Sequence, residues 1–278
     1  MRNSRIDLVE SASGHFYFYQ HPIKQPEGVY LPSSTTILEV FPNKGLDFWK
    51  TNTSPAEIKD KQENGKRQGT KLHHCIELGS KGQTISKDGV TDAQIKMLGL
   101  SDRRLINYLR EPLTDRELQA LDGVENFARI FEPVTVKNEM IVVSTKVGYA
   151  GTCDWVGYLK NKKTGRYELW VLDWKISNTK SRSNELQVVS YKKALSEMYP
   201  ENKALKRAKM GTVYFGMNKC HFSFSEVTDA PQAYRLFLLT KKLWHDANPK
   251  LPEFDTKSRE SYSFNMNNQF KGNIINLE

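Results

Sequence analysis

The run Leu169-Trp170-Val171-Leu172, closed by Asp173-Trp174-Lys175, constrains this chain more than any other stretch of it. Four apolar strand formers specify a buried strand, and that strand ends on an acid and an amine two residues apart. Period-two alternation puts Asp173 and Lys175 on the face of Leu169 and Val171, with Trp170, Leu172 and Trp174 on the other. A carboxylate and an ammonium therefore project together from a strand end. The preceding run, about 147 to 159, carries Asp154, and the turn Asn161-Lys162-Lys163-Thr164-Gly165 folds the two strands into a hairpin. Both acids can then share one hard divalent cation, held through oxygen, with the lysine beside it to support an attacking water or a developing phosphate charge. The expected chemistry is phosphodiester hydrolysis.

An acid-x-Lys triplet arises by chance about once or twice in a chain of this size. Glu57-Ile58-Lys59, Glu201-Asn202-Lys203 and Asp255-Thr256-Lys257 repeat the pattern, but they lie in charged or polar stretches and read as solvated charge. Only Asp173 and Lys175 end an apolar strand.

At 278 residues the chain can bury a full-sized core, and residues 1–257 are expected to form one nuclease domain. Residues 258–278, rich in Ser and Asn, read as a weakly ordered polar tail. The 41 basic side chains against 32 acidic ones give a net charge of +9, which favours a polyanionic partner, nucleic acid foremost. No apolar run approaches the ~20 residues of a membrane helix, and the N-terminus shows neither a secretory nor an import pattern. Three scattered cysteines without a C-x-x-C pair imply a reducing compartment, hence a cytoplasm, or that of a host if the chain is viral. A zinc site drawn from His73, His74, Cys75, Cys153, Cys220 and His221 matches no structural zinc spacing.

Residues 15 to 31 alternate aromatic and polar side chains and predict an N-terminal hairpin, followed by a short helix opened by Pro32-Ser33-Ser34-Thr35-Thr36. Ser54-Pro55-Ala56-Glu57 starts a helix reaching about Leu78, with Glu57 placed to close a capping box. About 80–133 contains no convincing strand and reads as a helical arch or lid, with a second box at Thr114-Asp115-Arg116-Glu117. Strands follow over 134–144, 147–159 and 167–175, then a helix over 184–199, strands over 212–217 and 221–227, and a helix from Asp229 through Leu236, Leu239, Leu243 and Trp244. That order predicts a mixed central sheet flanked by helices, α/β or α+β.

Upstream, Gly69, His73 and Glu77 fall at i, i+4 and i+8 on one helix stripe. Next to the downstream block, His73 is expected to offer a neutral imidazole to the metal, which suits Mn²⁺ somewhat better than Mg²⁺, and Glu77 to orient water there. Lys66, Arg67 and Lys71 are candidates for phosphate contacts, a solvated charged face being the default for each. Glu139, an acid among apolar strand residues, is either a partnered edge residue or a group behind the ligands, the second being preferred. Gln187 and Tyr191, at i and i+4 on the next helix, can face the site, where Tyr191 could also stack on a base.

Gly69-Thr-x-x-His73-x-x-x-Glu77, Gly151-x-x-Asp154, Asp173-x-Lys175 and Gln187-x-x-x-Tyr191, in this order, resemble the RecB-type branch of the PD-(D/E)xK nuclease superfamily. Within it, the chain resembles most the group of the mitochondrial genome maintenance exonuclease and its bacteriophage relatives. Pro32-Ser-Ser-Thr-Thr-Ile-Leu before Phe48-Trp49-Lys50, Tyr149-x-Gly151, Asp173-Trp174-Lys175-x-Ser177 and Leu186-Gln187-Val188-Val189-x-Tyr191 carry that narrower resemblance, which spans about 32 to 199. It implies the restriction-endonuclease-like core, with His73, Asp154, Asp173 and the Trp174 carbonyl as ligands of Mg²⁺ or Mn²⁺ and Lys175 as catalytic. It also implies an exonuclease on single-stranded DNA, threading a free end beneath a helical arch. Missing import features favour a phage or bacterial source. An endonuclease on the same scaffold and a non-catalytic nucleic-acid-binding module are the rival readings; four iron–sulfur ligands are excluded by the cysteine count.

Overall fold

The computed structural model describes residues 4–11, 14–42, 49–177, 179–216 and 221–251. The 258–278 tail, Phe48, Met217 and Cys220 lie outside the described residues. No helix among the described residues is long and apolar enough to cross a membrane.

The N-terminal part is a three-stranded antiparallel meander, β1 (Arg5–Ser11), β2 (Gly14–His21) and β3 (Gln25–Pro32), where sequence had suggested a two-stranded hairpin. Charges at Arg5, Asp7 and Glu10 hide the first strand in the sequence. In the fold Asp7 is fully buried and meets Arg5 at 2.8 Å, while Ile6 and Val9 enter the interior. Short helix α1 (Ser34–Leu38) follows, capped by Ser33, whose Oγ accepts the Thr36 N–H.

Helix α2 (Pro55–Ser80) begins as expected at Ser54, but only half of the capping box forms: Ser54 accepts the Glu57 N–H, and the Glu57 carboxylate turns to Lys61 at 2.8 Å. Two short helices, α3 (Asp92–Leu98) and α4 (Arg103–Arg110), fold against the C-terminal half of α2 around a small separate core that includes Cys75, Leu78, Val90 and Leu109. Helix α5 (Asp115–Phe131) has both halves of its capping box at Thr114 and Glu117. It corrects the extent of the expected arch. Ala120, Gly123 and Phe127 are buried, and a Cβ on Gly123 would stand 3.2 Å from the His221 carbonyl oxygen, so α5 is a core layer packed on the sheet. Only the segment between α2 and α5 stands apart as an insertion.

The main sheet has the order β4 (Val134–Ser144), β5 (Tyr149–Lys160), β6 (Tyr167–Lys175), β7 (Lys209–Phe215), β8 (Phe222–Glu226), antiparallel except where β6 and β7 run parallel. Parallel neighbours require a crossover, supplied by α6 (Arg182–Met198) and the short α7 (Lys203–Arg207). The expected mixed α/β architecture is therefore present.

Alternation divides the sheet as the sequence implied. Trp170, Leu172 and Trp174 join Trp155, Val213 and Phe215 under α5 and α2, where Phe127 stands edge-on to Trp174 with ring centroids 5.7 Å apart. Val171 and Val156 face the other cluster, built from α6, the meander and α8 (Ala230–Ala247). Helix α8 buries Ala233, Phe237, Thr240 and Trp244, whereas Leu239 and Leu243 are 59% and 55% exposed.

Candidate metal centre

The β5–β6 ladder runs from Lys160–Tyr167 to Trp155–Leu172 and stops. One residue further on, the Asp154 carboxylate takes the place of a strand carbonyl: its Oδ2 accepts the Trp174 N–H at 2.8 Å. That bond fixes Asp154 against β6 and turns the Trp174 peptide so that its carbonyl meets His73, whose Nε2 lies 3.2 Å away. The same Nε2 is 3.8 Å from Asp154 Oδ2. Extending the two ladders places Glu139, Asp154 and Asp173 abreast on β4, β5 and β6. Donor atoms of His73, Glu139 and Asp154 all lie within 4.8 Å of one another.

His73 is carried by α2, anchored through Leu72 and Ile76 in the aromatic core, so its reach to the sheet is set by packing on either side of it. Its Nδ1 stands 3.3 Å from Glu139 Oε1. Both ring nitrogens thus face oxygen. Burial works against a charged imidazole, but Asp154 and Glu139 more than offset it and push its pKa up to about 9. Without a cation the raised pKa favours the charged ring, so a cation at Nε2 must displace a proton to meet the neutral imidazole.

Asp173 is fully buried, and its Oδ2 receives no hydrogen bond even though Lys175 Nζ stands 2.9 Å from Oδ1 and 2.8 Å from Oδ2. Burial raises the pKa of Asp173, Lys175 works against the rise and Asp154 adds to it. Burial likewise raises Asp154, with His73 and Lys175 opposing. Two buried carboxylates of raised proton affinity fit a site that prefers positive charge. Burial disfavours the Lys175 ammonium, but Asp173 and Asp154 outweigh it and raise its pKa, so Lys175 stays charged.

The donor set fits a hard divalent cation. Ligands at about 2.1 Å in octahedral arrangement put neighbouring donor atoms about 3 Å apart, and the distances at His73 Nε2 are of that scale. Carboxylate, carbonyl and imidazole donors suit Mg²⁺ or Mn²⁺. A cysteine-ligated zinc site does not assemble: burial pushes the Cys75 thiol up to about 12 and the Cys153 thiol well above its usual value, and the two sit in separate apolar cores.

Several candidates land elsewhere. Glu77 is not brought into the group; it binds Lys81 at 2.7 Å and faces His74 Nδ1 at 3.7 Å, one turn beyond His73. Lys71 is 1% exposed and donates to the carbonyls of Glu111 and Pro112 at 2.7 and 3.2 Å, which ties α2 to the insertion and removes it from any phosphate path. Arg67 is occupied by Glu111 at 3.0 Å and lies over the Tyr108 ring, whereas Lys66 is exposed. Ser177 closes a local turn on Thr179.

Tyr191 is 3% exposed, so it presents no ring face to a base. It packs on Gly151, where a Cβ would stand 2.5 Å from the ring, and its hydroxyl accepts from Gln187 Nε2 at 2.7 Å. These two residues support the carboxylates from behind. Ser34 completes that support, donating to the Ala150 carbonyl and accepting from Ser190 on α6. Gly69 has open space above it one turn before His73, leaving the approach along α2 clear.

No family model matches this chain, and no curated protein matches it.

Proposed function

We propose that this chain is a metal-dependent nuclease of the RecB-type PD-(D/E)xK kind, hydrolysing phosphodiester bonds of DNA, with single strands bearing a free end as substrate. The observation that carries the reading is the convergence of His73 Nε2, Asp154 Oδ2 and the Trp174 carbonyl beside the buried Asp173–Lys175 pair. His73, Asp154, Asp173 and the Trp174 carbonyl would hold Mg²⁺ or Mn²⁺, with Glu139 fixing the imidazole through Nδ1. Such an ion, when bound, supplies Lewis acidity towards a phosphate oxygen and lowers the pKa of water.

The chain's own groups do the rest. Lys175, kept as an ammonium by the two aspartates, stabilises negative charge that develops on the phosphate and does not act as a base. Asp173 holds Lys175 in place through both carboxylate oxygens. Gln187, Tyr191 and Gly151 lock the strand that carries Asp154 against α6. The net charge of +9 favours a polyanionic substrate. A helical insertion next to α2 is the part that would admit or exclude a strand end, and cytoplasmic DNA replication, recombination or repair is the setting that this substrate implies.

The test is incubation of the protein with linear and covalently circular single-stranded DNA in Mg²⁺ and in Mn²⁺, beside Lys175→Ala. Loss of the linear strand alone, slowed about 10²–10³-fold in the variant, is the expected result. Cleavage of the circle would assign an endonuclease to the same site, and an undiminished rate in Lys175→Ala would remove the reading.

A further inference from the structure

Beside the metal centre, on the β7 side, the carboxyl ends of the parallel pair β6 and β7 meet the N-terminus of α6. Ligands of open α/β sheets bind at the carboxyl ends of parallel strands, and helix N-termini favour anions. A cavity of about 180 Å³ lies there, bordered by Lys180, Ser181, Arg182, Glu185, Thr212 and Tyr214 among others. Its floor is tied to the catalytic strand: Thr212 is the cross-strand partner of Asp173, and Tyr214 that of Lys175. The cavity strand thus lies one strand spacing, about 4.8 Å, from the strand that carries Asp173 and Lys175.

The cavity holds polar groups that the fold leaves unused. Thr212 is 2% exposed, and its hydroxyl bonds to no side chain or carbonyl among the described residues. Tyr214 is 3% exposed; its oxygen accepts from Asn184 Nδ2 at 3.3 Å, so its own proton is left to donate. A buried residue whose hydroxyl bonds to nothing is uncommon, and Thr212, with the undonated proton of Tyr214 beside it in one cavity, points to a ligand that accepts hydrogen bonds. Lys180 is exposed and forms no ion pair among the described residues. Arg182 and Glu185 pair with each other, so the rim keeps one net positive charge. The Ser183 N–H is taken by Ser181 Oγ, so the 17-residue helix contributes chiefly its dipole.

We propose that this cavity is a phosphate subsite, taking a phosphate next to the one at the metal centre, with the Thr212 and Tyr214 hydroxyls as donors and Lys180 as counter-charge. The identity of the ligand as part of a nucleic-acid strand rests on the nuclease reading; the anion site rests on the cavity. Such a contact sets the register of the strand over Asp154 and Asp173.

Binding of a fluorescent single-stranded oligodeoxynucleotide to the full chain in chelator, followed by anisotropy across a salt series, tests it with Thr212→Val and Lys180→Ala. Thr212→Val, a near-isosteric loss of one hydroxyl, is expected to weaken binding about tenfold, the scale of a hydrogen bond to a charged group. Lys180→Ala is expected to lower the slope of log affinity on log salt by about 0.7, one phosphate contact on a single strand. An unchanged Mn²⁺-induced rise in melting temperature shows that Thr212→Val is folded with its metal centre intact. Unaltered affinity and slope in both variants, while the parent still cuts DNA, would overturn the subsite and leave the nuclease reading standing. If the parent neither binds nor cuts nucleic acid, the nuclease reading fails, and titration with inorganic phosphate decides: heat lost in both variants retains an anion site, and no heat in the parent overturns it.

Discussion

His73 Nδ1 stands 3.3 Å from Glu139 Oε1, and Glu139 reaches it from a backbone φ of 45°, a left-handed conformation in the middle of β4. A non-glycine residue in that region costs roughly 1–3 kcal/mol, and such strain gathers at functional sites. Here it aims a carboxylate at the ring that faces Asp154.

Replacing Glu139 separates strain from function. Glu139→Gly removes the conformational cost and the carboxylate together. The metal-free variant should melt no lower than the parent, while its Mn²⁺ affinity falls by about 10–100-fold, as for loss of a group that orients a ligand. Thermal melts in chelator and calorimetric Mn²⁺ titration give the two numbers; equal affinity would show that Glu139 does not orient His73.

The pH dependence of the metal-free protein follows from His73. Its pKa is raised from 6.5 to about 9, so the stabilisation it brings is fully present below 6.5 and is lost as pH rises through 9. Asp154 and Asp173, also raised, act in the same direction. Melting temperatures in chelator should therefore fall between pH 6.5 and 9, and less so in His73→Ala. Mn²⁺ should bind more tightly over that interval, releasing a proton, with calorimetry in buffers of different ionisation heat as the measurement.

Gly151→Ala should destabilise the chain by about 1–3 kcal/mol, because the added Cβ meets the Tyr191 ring at 2.5 Å. Tyr191→Leu, which withdraws the ring edge, should recover part of that loss in the double variant. Urea unfolding of the four proteins measures the coupling; strict additivity would place the clash elsewhere.

Lys71→Ala should cost about 3 kcal/mol or more, since it leaves Glu117, 3.9 Å away, and two carbonyls without their cation in a buried setting. The salt slope of DNA binding should not change. A lower slope with undiminished stability would return Lys71 to the phosphate path.

Much of the fold was readable from local pattern. Apolar alternation in Leu169–Lys175, the caps at Ser54 and Thr114, and the turn after Asn161 each depend on neighbours in sequence, so periodicity and capping chemistry located them. The first strand was not readable, because Asp7 reads as surface and is buried only by its place in the meander. The same residue types on α2 also met different ends: Lys71 is sealed under the insertion, Arg67 is taken by Glu111, and Lys66 is exposed.

By itself the sequence determined the chemical inventory and its order along the chain: which strand ends carry acids, which helix stripe carries His73, and the mixed α/β arrangement. Only the tertiary structure decided how the inventory is used. Interruption of the β5–β6 ladder after Trp155–Leu172 hands the Trp174 N–H to Asp154, registers across β4 to β7 set Glu139 beside Asp154 and Thr212 beside Asp173, and packing of α2 turns Glu77 away from the group that His73 joins. Those relations join residues far apart in the chain, and register and packing, not local propensity, hold them together.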